Sequence, residues 1–376
     1  MEFWYQKKGL LLLGAIAGIF TAGLAYMGNP ANMALCAACF IRDMAGAMKF
    51  HNAAAVQYFR PEIVGIILGA FIVSLKSGEF GSSGSGSTPI RVLLGAIMMI
   101  CALVFLGCPL RMVLRMSAGD MSAYVGLVGF LGGLATGIVF LKKGYTLGEA
   151  VATRKSQGYT VPLLVAVLFI ISVVTTLFAV STKGPGSMHA PVFFSLLAGL
   201  IFGIIAQRTR MCFSGAFRNV MMYKDGTMLC SIIGIFVIML IYNLGTGHFN
   251  IAAFGPIAHG DVLWNIASMY GVGLAATLAG GCPLRQLVLA GSGSSDSAMT
   301  VLGMLLGAAV AHSFNLAAVP GVASKFVVGG PSISGQVAVI ISIIILLGIG
   351  IWGSHKTKAS TNYNVMDTKQ NVTDTN

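Results

Sequence analysis

The sequence predicts an all-α polytopic membrane protein, and three observations carry that prediction. Only 9% of the 376 residues are charged, against roughly 25% in soluble domains. Apolar side chains make up 56%, and the mean hydropathy is +0.86. Ten apolar runs, at about 9–27, 61–76, 89–106, 121–141, 160–181, 190–207, 228–246, 262–280, 297–318 and 335–352, approach the length of about 20 residues that a helix needs to cross the hydrocarbon core. Such a chain cannot clothe a globular surface in water, which excludes a cytosolic enzyme and a disordered protein. Seven cysteines, most of them inside apolar stretches, also exclude a secreted disulfide scaffold.

Taken in order, a short basic stretch from Met1 to Lys8 precedes the first run. Gly28-Asn29-Pro30 then leads straight into more apolar sequence, so the run reads as a membrane helix and not as a signal peptide. Gly81 to Ser87 is a flexible linker by composition. Lys142-Lys143 and Arg154-Lys155 form a basic loop after the fourth span. Residues 1–352 read as one membrane domain and 353–376 as a disordered cytoplasmic tail. With the N-terminus inside and ten crossings, 16 of the 23 Lys and Arg residues fall on the cytoplasmic side. That bias places both termini in the cytoplasm. The net charge of +12 has three sources open to it: basic cytoplasmic loops, contact with anionic lipid, and a cavity that attracts an anionic solute.

Four segments between the spans are too short to cross and too apolar for ordinary loops. They run from Asn32 to Asp43, Gly107 to Arg111, Arg210 to Asn219 and Gly281 to Arg285. Each holds a cysteine and, a few residues on, an arginine. Gly107-Cys108-Pro109-Leu110-Arg111 recurs at 281–285 with an offset of 174, which also carries Gly129 and Gly133 onto Gly303 and Gly307. Cys36 and Arg42-Asp43 map onto Cys212 and Arg218-Asn219 with an offset of 176. The chain is therefore an internal duplication: repeat 1 at about 9–142, a connecting span at 160–181, repeat 2 at about 190–318, and an extra span at 335–352 used for packing. Equivalent helices are five crossings apart, an odd number, so the repeats are inverted. Two re-entrant cysteine segments should dip in from each face and meet near the midplane. Gly-x-x-x-Gly pairs beginning at Gly14, Gly65, Gly129, Gly199 and Gly303 predict close helix packing.

Cys101 and Cys230 lie inside spans, have no repeat partner, and read as packing residues. Cys36, Cys108, Cys212 and Cys282 recur, and a thiol offers weak, polarisable, replaceable contacts to a sulfur- or selenium-bearing solute. Arg42, Arg111, Arg218 and Arg285 adjoin them, with Arg115 one turn beyond Arg111. Two readings of these arginines stay open. They snorkel or pair with Asp43, Asp120 or Asp296, or they form a basic funnel at each mouth that concentrates anions. Short helices after Gly-Cys-Pro would also aim positive N-termini at the centre. His312, Asn315 and Asn243 lie at depth, either in interhelical hydrogen bonds or along a pore. His51, His189, His248 and His259 sit in loops without metal-ligand spacing, and no catalytic or cofactor motif occurs in the right context. The reading is thus a non-enzyme without cofactor or metal that carries a small sulfur- or selenium-containing anion. Its alternatives are a membrane sulfur or selenium transferase using a cysteine persulfide, and a soft-metal transporter for Cu(I).

At Cys36, Arg42-Asp43, Cys212, Arg218-Asn219 and the two Gly-Cys-Pro-Leu-Arg segments the chain resembles the YeeE/YedE family of bacterial membrane proteins, over about residues 9–320. The nearest branch looks like the one named for selenium transport. The resemblance implies an hourglass with four inward loops and pseudo-222 symmetry, set in the bacterial cytoplasmic membrane. It also implies thiosulfate-like uptake, in which the solute passes between central cysteines by transient S–H hydrogen bonds. Carried over, the thiols would be Cys36, Cys108 and Cys282, with Cys212 as the fourth loop's counterpart. The implied partners are the anion, the bilayer and a small cytoplasmic sulfur- or selenium-carrier protein, and no nucleic acid. This chain differs in having a cysteine in all four loops and Cys39 besides.

Overall fold

The computed structural model describes residues 6–30, 32–322, 325 and 327–373, with side chains described as far as 355. The first five residues of the basic N-terminal stretch and residues 374–376 of the tail lie outside the described residues. Helices occupy all ten predicted span positions: α1 (Lys7–Tyr26), α3 (Pro61–Lys76), α4 (Thr88–Val104), α6 (Met121–Lys142), α7 (Lys155–Val174), α8 (Val192–Arg208), α10 (Leu229–Gly245), α11 (Val262–Leu278), α13 (Ser295–Ser313) and α14 (Ile333–Thr373). Each of the four cysteine segments opens a short helix: α2 (Ala37–Ala47), α5 (Pro109–Ser117), α9 (Phe213–Tyr223) and α12 (Pro283–Gly291). The molecule is an all-α polytopic membrane protein.

Among the described residues, seven stretches are long and apolar enough to cross a membrane by themselves: Lys7–Tyr26, Thr88–Ser117, Met121–Lys142, Lys155–Val174, Val192–Tyr223, Val262–Gly291 and Ile333–His355. Helices α3, of 16 residues, and α10, of 17, are shorter. At 1.5 Å per residue, α3 reaches only about 24 Å against a core of about 30 Å. α3 lies along α8 and α10 along α1, while α6 pairs with α11 and α4 with α13. The Gly-x-x-x-Gly pairs make these seams. A methyl at Gly14 would strike the Ser231 carbonyl, at Gly69 the Leu200 carbonyl, at Gly133 the Tyr270 carbonyl, and at Gly303 the Val92 carbonyl. Exchanging α1–α6 with α8–α13 carries α1·α10 onto α3·α8, and α6·α11 onto α4·α13. Outside this exchange, α14 covers α11 and α4, and α7 packs on α3 and α12 while exposing Leu163, Leu164, Val167, Ile170 and Val173.

Three local expectations change. The Gly/Ser run is anchored, because β1 (Ser83–Gly84) pairs antiparallel with β2 (Val151–Ala152) and the Ser85 amide donates to both Asp296 carboxylate oxygens at 3.0 Å. An acidic side chain in the first turn of α13 supplies the acceptor that composition alone does not reveal. The fifth span leaves its helix at Thr175, and the chain beyond it lies over the 47–57 loop, with the Ala179 amide on Ala47 O and the Ser181 amide on Gln57 O. The last helix, α14, runs on to Thr373, past residue 353 where composition begins a disordered tail.

Candidate functional site

The four recurrent cysteines share one backbone role: each is the N-cap of its short helix. In the two Gly-Cys-Pro segments, proline at the first helical position is already set at helical φ and needs no hydrogen-bond acceptor. The turn into each is made by a left-handed residue, Leu106 at φ 61° and its equivalent Gly280 at φ 84°. In the other two segments the thiol itself caps. Cys36 Sγ accepts from the Cys39 amide at 3.3 Å, and Cys212 Sγ from the Gly215 amide at 3.2 Å. Helix starts usually place Ser, Thr, Asp or Asn there, so Cys36 and Cys212 exchange a hard acceptor for a soft one, while Cys108 and Cys282 make no capping hydrogen bond.

The thiols come together in two pairs. Cys36 Sγ lies 3.6 Å from Cys108 Sγ, and Cys212 Sγ lies 3.9 Å from Cys282 Sγ. Each pair joins the two cysteine segments of one repeat. The short helices also meet across the repeats, α2 against α12 and α5 against α9. All four cysteines are buried. Helix N-termini carry about half a positive charge each, so each sulfur pair sits in an electropositive cradle suited to an anion that bears a polarisable atom. Cys101 is buried inside α4, and Cys230 is half-buried in α10.

The arginines divide. Arg42 is tied to Asp43 at 2.6 Å, and Asp43 also holds Arg60 at 2.7 Å, all three buried. Arg115 pairs with Asp120 at 2.7 Å. These are the pairing roles. Arg111 is fully buried, yet its partners are neutral: the carbonyls of Asn32, Leu106 and Ile257, and Cys39 Sγ at 3.5 Å. Arg218 is half-buried on α9. Arg285 reaches Gln207 Oε1 at 3.4 Å and faces a cavity of about 310 Å³ lined by Glu79, Gln207, Arg210 and Ser292. Two further cavities, of about 260 and 400 Å³, share Asn32, His248 and Pro256 in their walls.

Among the polar residues at depth, Asn243 donates to Ser117 Oγ at 3.2 Å between α10 and α5 and also lines the cavity of about 260 Å³. The His312 ring lies 4.6 Å from that of His51, and Asn315 falls beyond the end of α13. Sequence reading passed over Asn32 and Ile257, which act through backbone carbonyls, and Glu62. The Glu62 carboxylate is fully buried among neutral donors, Asn29 at 2.8 Å and Ser195 at 3.2 Å. Asn32 carried the one available signal, since asparagine tolerates the left-handed conformation it adopts at φ 58°.

Residues 208–375 match the family model described as sulphur transport. The chain is also 29% identical over 117 residues to the thiosulfate transporter TsuA of Spirochaeta thermophila. That alignment covers 31% of this chain and 35% of the relative, so the chain matches about a third of that protein's length. The family match begins at α8's last residue and takes in the second thiol pair, Cys212 and Cys282. That match and the four recurrent Cys/Arg segments make the chain similar to sulphur-transport membrane proteins, the likeness covering its second half.

Proposed function

We propose that the protein takes up a small sulfur- or selenium-containing anion across the bacterial cytoplasmic membrane, passing it along Cys36, Cys108, Cys212 and Cys282 without covalent change. The observation that carries this reading is the arrangement of four buried thiols as two close pairs, each held where helix N-termini point. A single thiol contact is weak, so the anion can leave each station for the next. The exchange pattern of helix contacts supports a two-fold duplication; with an odd number of crossings between equivalent helices the repeats are inverted, the first pair entering from the outer face and the second from the cytoplasmic face. Both termini are then cytoplasmic. Arg285 and Arg210 would hold the leaving anion at the inner cavity, where a small sulfur- or selenium-carrier protein collects it. The similarity to a thiosulfate transporter favours thiosulfate as the first anion to try.

The test is uptake of labelled thiosulfate and selenite into cells lacking other routes, comparing wild type with Cys36→Ala, Cys108→Ala, Cys212→Ala and Cys282→Ala. Loss of a thiol from either pair should lower uptake at least tenfold, with every remaining thiol of unmodified mass after turnover. Uptake at the wild-type rate in all four variants overturns the relay. A stable persulfide on any of them replaces it with a transferase.

A further inference from the structure

Arg111 poses a physical problem of its own. The other buried arginines of the first repeat face carboxylates, Arg42 and Arg60 at Asp43 and Arg115 at Asp120. Arg111 has no carboxylate in ion-pair reach among the described residues. A buried guanidinium with only neutral partners leaves its charge uncompensated. Its carbonyl partners share an unusual feature: Asn32 (φ 58°), Leu106 (φ 61°) and Ile257 (φ 54°) all lie in the left-handed region. Leucine and β-branched isoleucine avoid that region. Three separate stretches of chain, one of them from the second repeat, are thus bent against their preference to aim oxygen at one cation.

We propose that Arg111 and Cys39 form a masked subsite for a small divalent anion with a soft sulfur or selenium atom, covered at rest by these three carbonyls. The inference rests on the transport reading above. Asn32 belongs to the wall of both cavities of about 260 and 400 Å³, as does Pro256, the neighbour of Ile257. An anion in those cavities therefore meets the cover first. It offers the guanidinium a charged, bidentate acceptor in place of neutral carbonyls, and release lets Asn32 and Ile257 relax. The moving part is short. The 246–261 loop is pinned on one side by the Ala252 amide on Gly119 O and by the Met121 amide on Ala252 O. On the other side the Gly321 amide holds Ala258 O. Only 253–257 lies between the pins. Once seated, the oxygens stay on Arg111 while the soft atom faces Cys39, whose amide already caps onto Cys36 Sγ. Cys39 is then the first thiol the anion meets, ahead of the Cys36–Cys108 pair.

The test uses the purified full-length protein in liposomes and two variants expected to act in opposite directions. Arg111→Gln removes the clasp, so Cys39 and Cys108 should react with a neutral hydrophilic maleimide about tenfold faster than in wild type, read by peptide mass, and thiosulfate binding should be lost. Ile257→Gly keeps the carbonyl but removes the left-handed strain, which strengthens the cover. Labelling should slow about fivefold, and thiosulfate affinity should weaken by the same factor, because the competent state is rarer. Wild-type labelling and affinity in Ile257→Gly overturn the mask even if Arg111→Gln fails to fold. Slower uptake by Arg111→Gln with unchanged neutral labelling reduces Arg111 to an attractor and also overturns it. If wild type neither binds nor transports thiosulfate while the two variants still split the labelling rates, the mask stands and the transport reading for that anion falls.

Discussion

Asp43→Asn should be among the most damaging conservative changes in the molecule. The carboxylate holds Arg42 at 2.6 Å through one oxygen and Arg60 at 2.7 Å through the other, and all three side chains are buried. Removing one partner of a buried pair costs about 3–5 kcal/mol, mainly from the cation left without compensation. Here two cations lose the same partner. Arg60 keeps the carbonyls of Pro185 and Met188 and the faces of Phe40 and Tyr58, while Arg42 keeps nothing of comparable charge. The expected loss is therefore near the top of the range, about 5 kcal/mol. Unfolding by rising SDS fraction in mixed micelles measures it. Adding Arg60→Met to Asp43→Asn removes one of the two stranded charges and should recover about half of the loss, a coupling between neighbours that independent sites would not show. A single variant within about 1 kcal/mol of wild type would refute the reasoning, and so would a double variant no better than the single one.

The remaining expectations are smaller. Gly133→Ala forces the α6–α11 seam apart at the Tyr270 carbonyl and should cost about 1–3 kcal/mol in the same assay, whereas Gly348→Ala, which meets no neighbour, should cost nothing measurable. On the proposed orientation, Arg285→Gln should lower the maximal uptake rate several-fold with little change in KM, because its cavity would then lie at the exit; a rise in KM alone would place that cavity at the entrance. Burial in the 246–261 loop pushes the His259 imidazole down to about 4, and its Nε2 sits on the Val104 carbonyl at 2.9 Å. Above pH 6.5 neither folded nor unfolded chain carries that proton. Between about 6.5 and 4 only the unfolded chain does, so about 3 kcal/mol of stability should disappear across that window. His259→Gln should flatten that part of the profile, and an unchanged slope would reject the assignment.

Much of this was readable from the chain. Spans followed from apolar runs, and the glycine pairs gave the helix seams. The recurrence of Gly-Cys-Pro-Leu-Arg marked the positions where Cys108 and Cys282 begin equivalent helices. The carboxylates Asp43, Asp120 and Asp296 could be named as partners from the sequence, but which arginine pairs and which does not was not legible, because that depends on three-dimensional reach. Arg42 and Arg111 look alike in sequence, yet one is neutralised by its neighbour Asp43 and the other is held by distant carbonyls. Backbone conformation was equally hidden, since nothing in the residue type announces a left-handed Leu106 or Ile257. The Gly/Ser stretch at 81–87 reads as slack until Asp296, more than two hundred positions away, is brought to its amides.

The four glycine seams have a mechanical consequence. Every one joins a helix of the first repeat to a helix of the second, α1 to α10, α3 to α8, α4 to α13 and α6 to α11. The repeats are interleaved like the fingers of two clasped hands, and a rocking motion of one against the other would have to open all four seams at once. On the proposed transport reading, a solute would pass by small displacements of the short helices and loops, with the outer scaffold standing still.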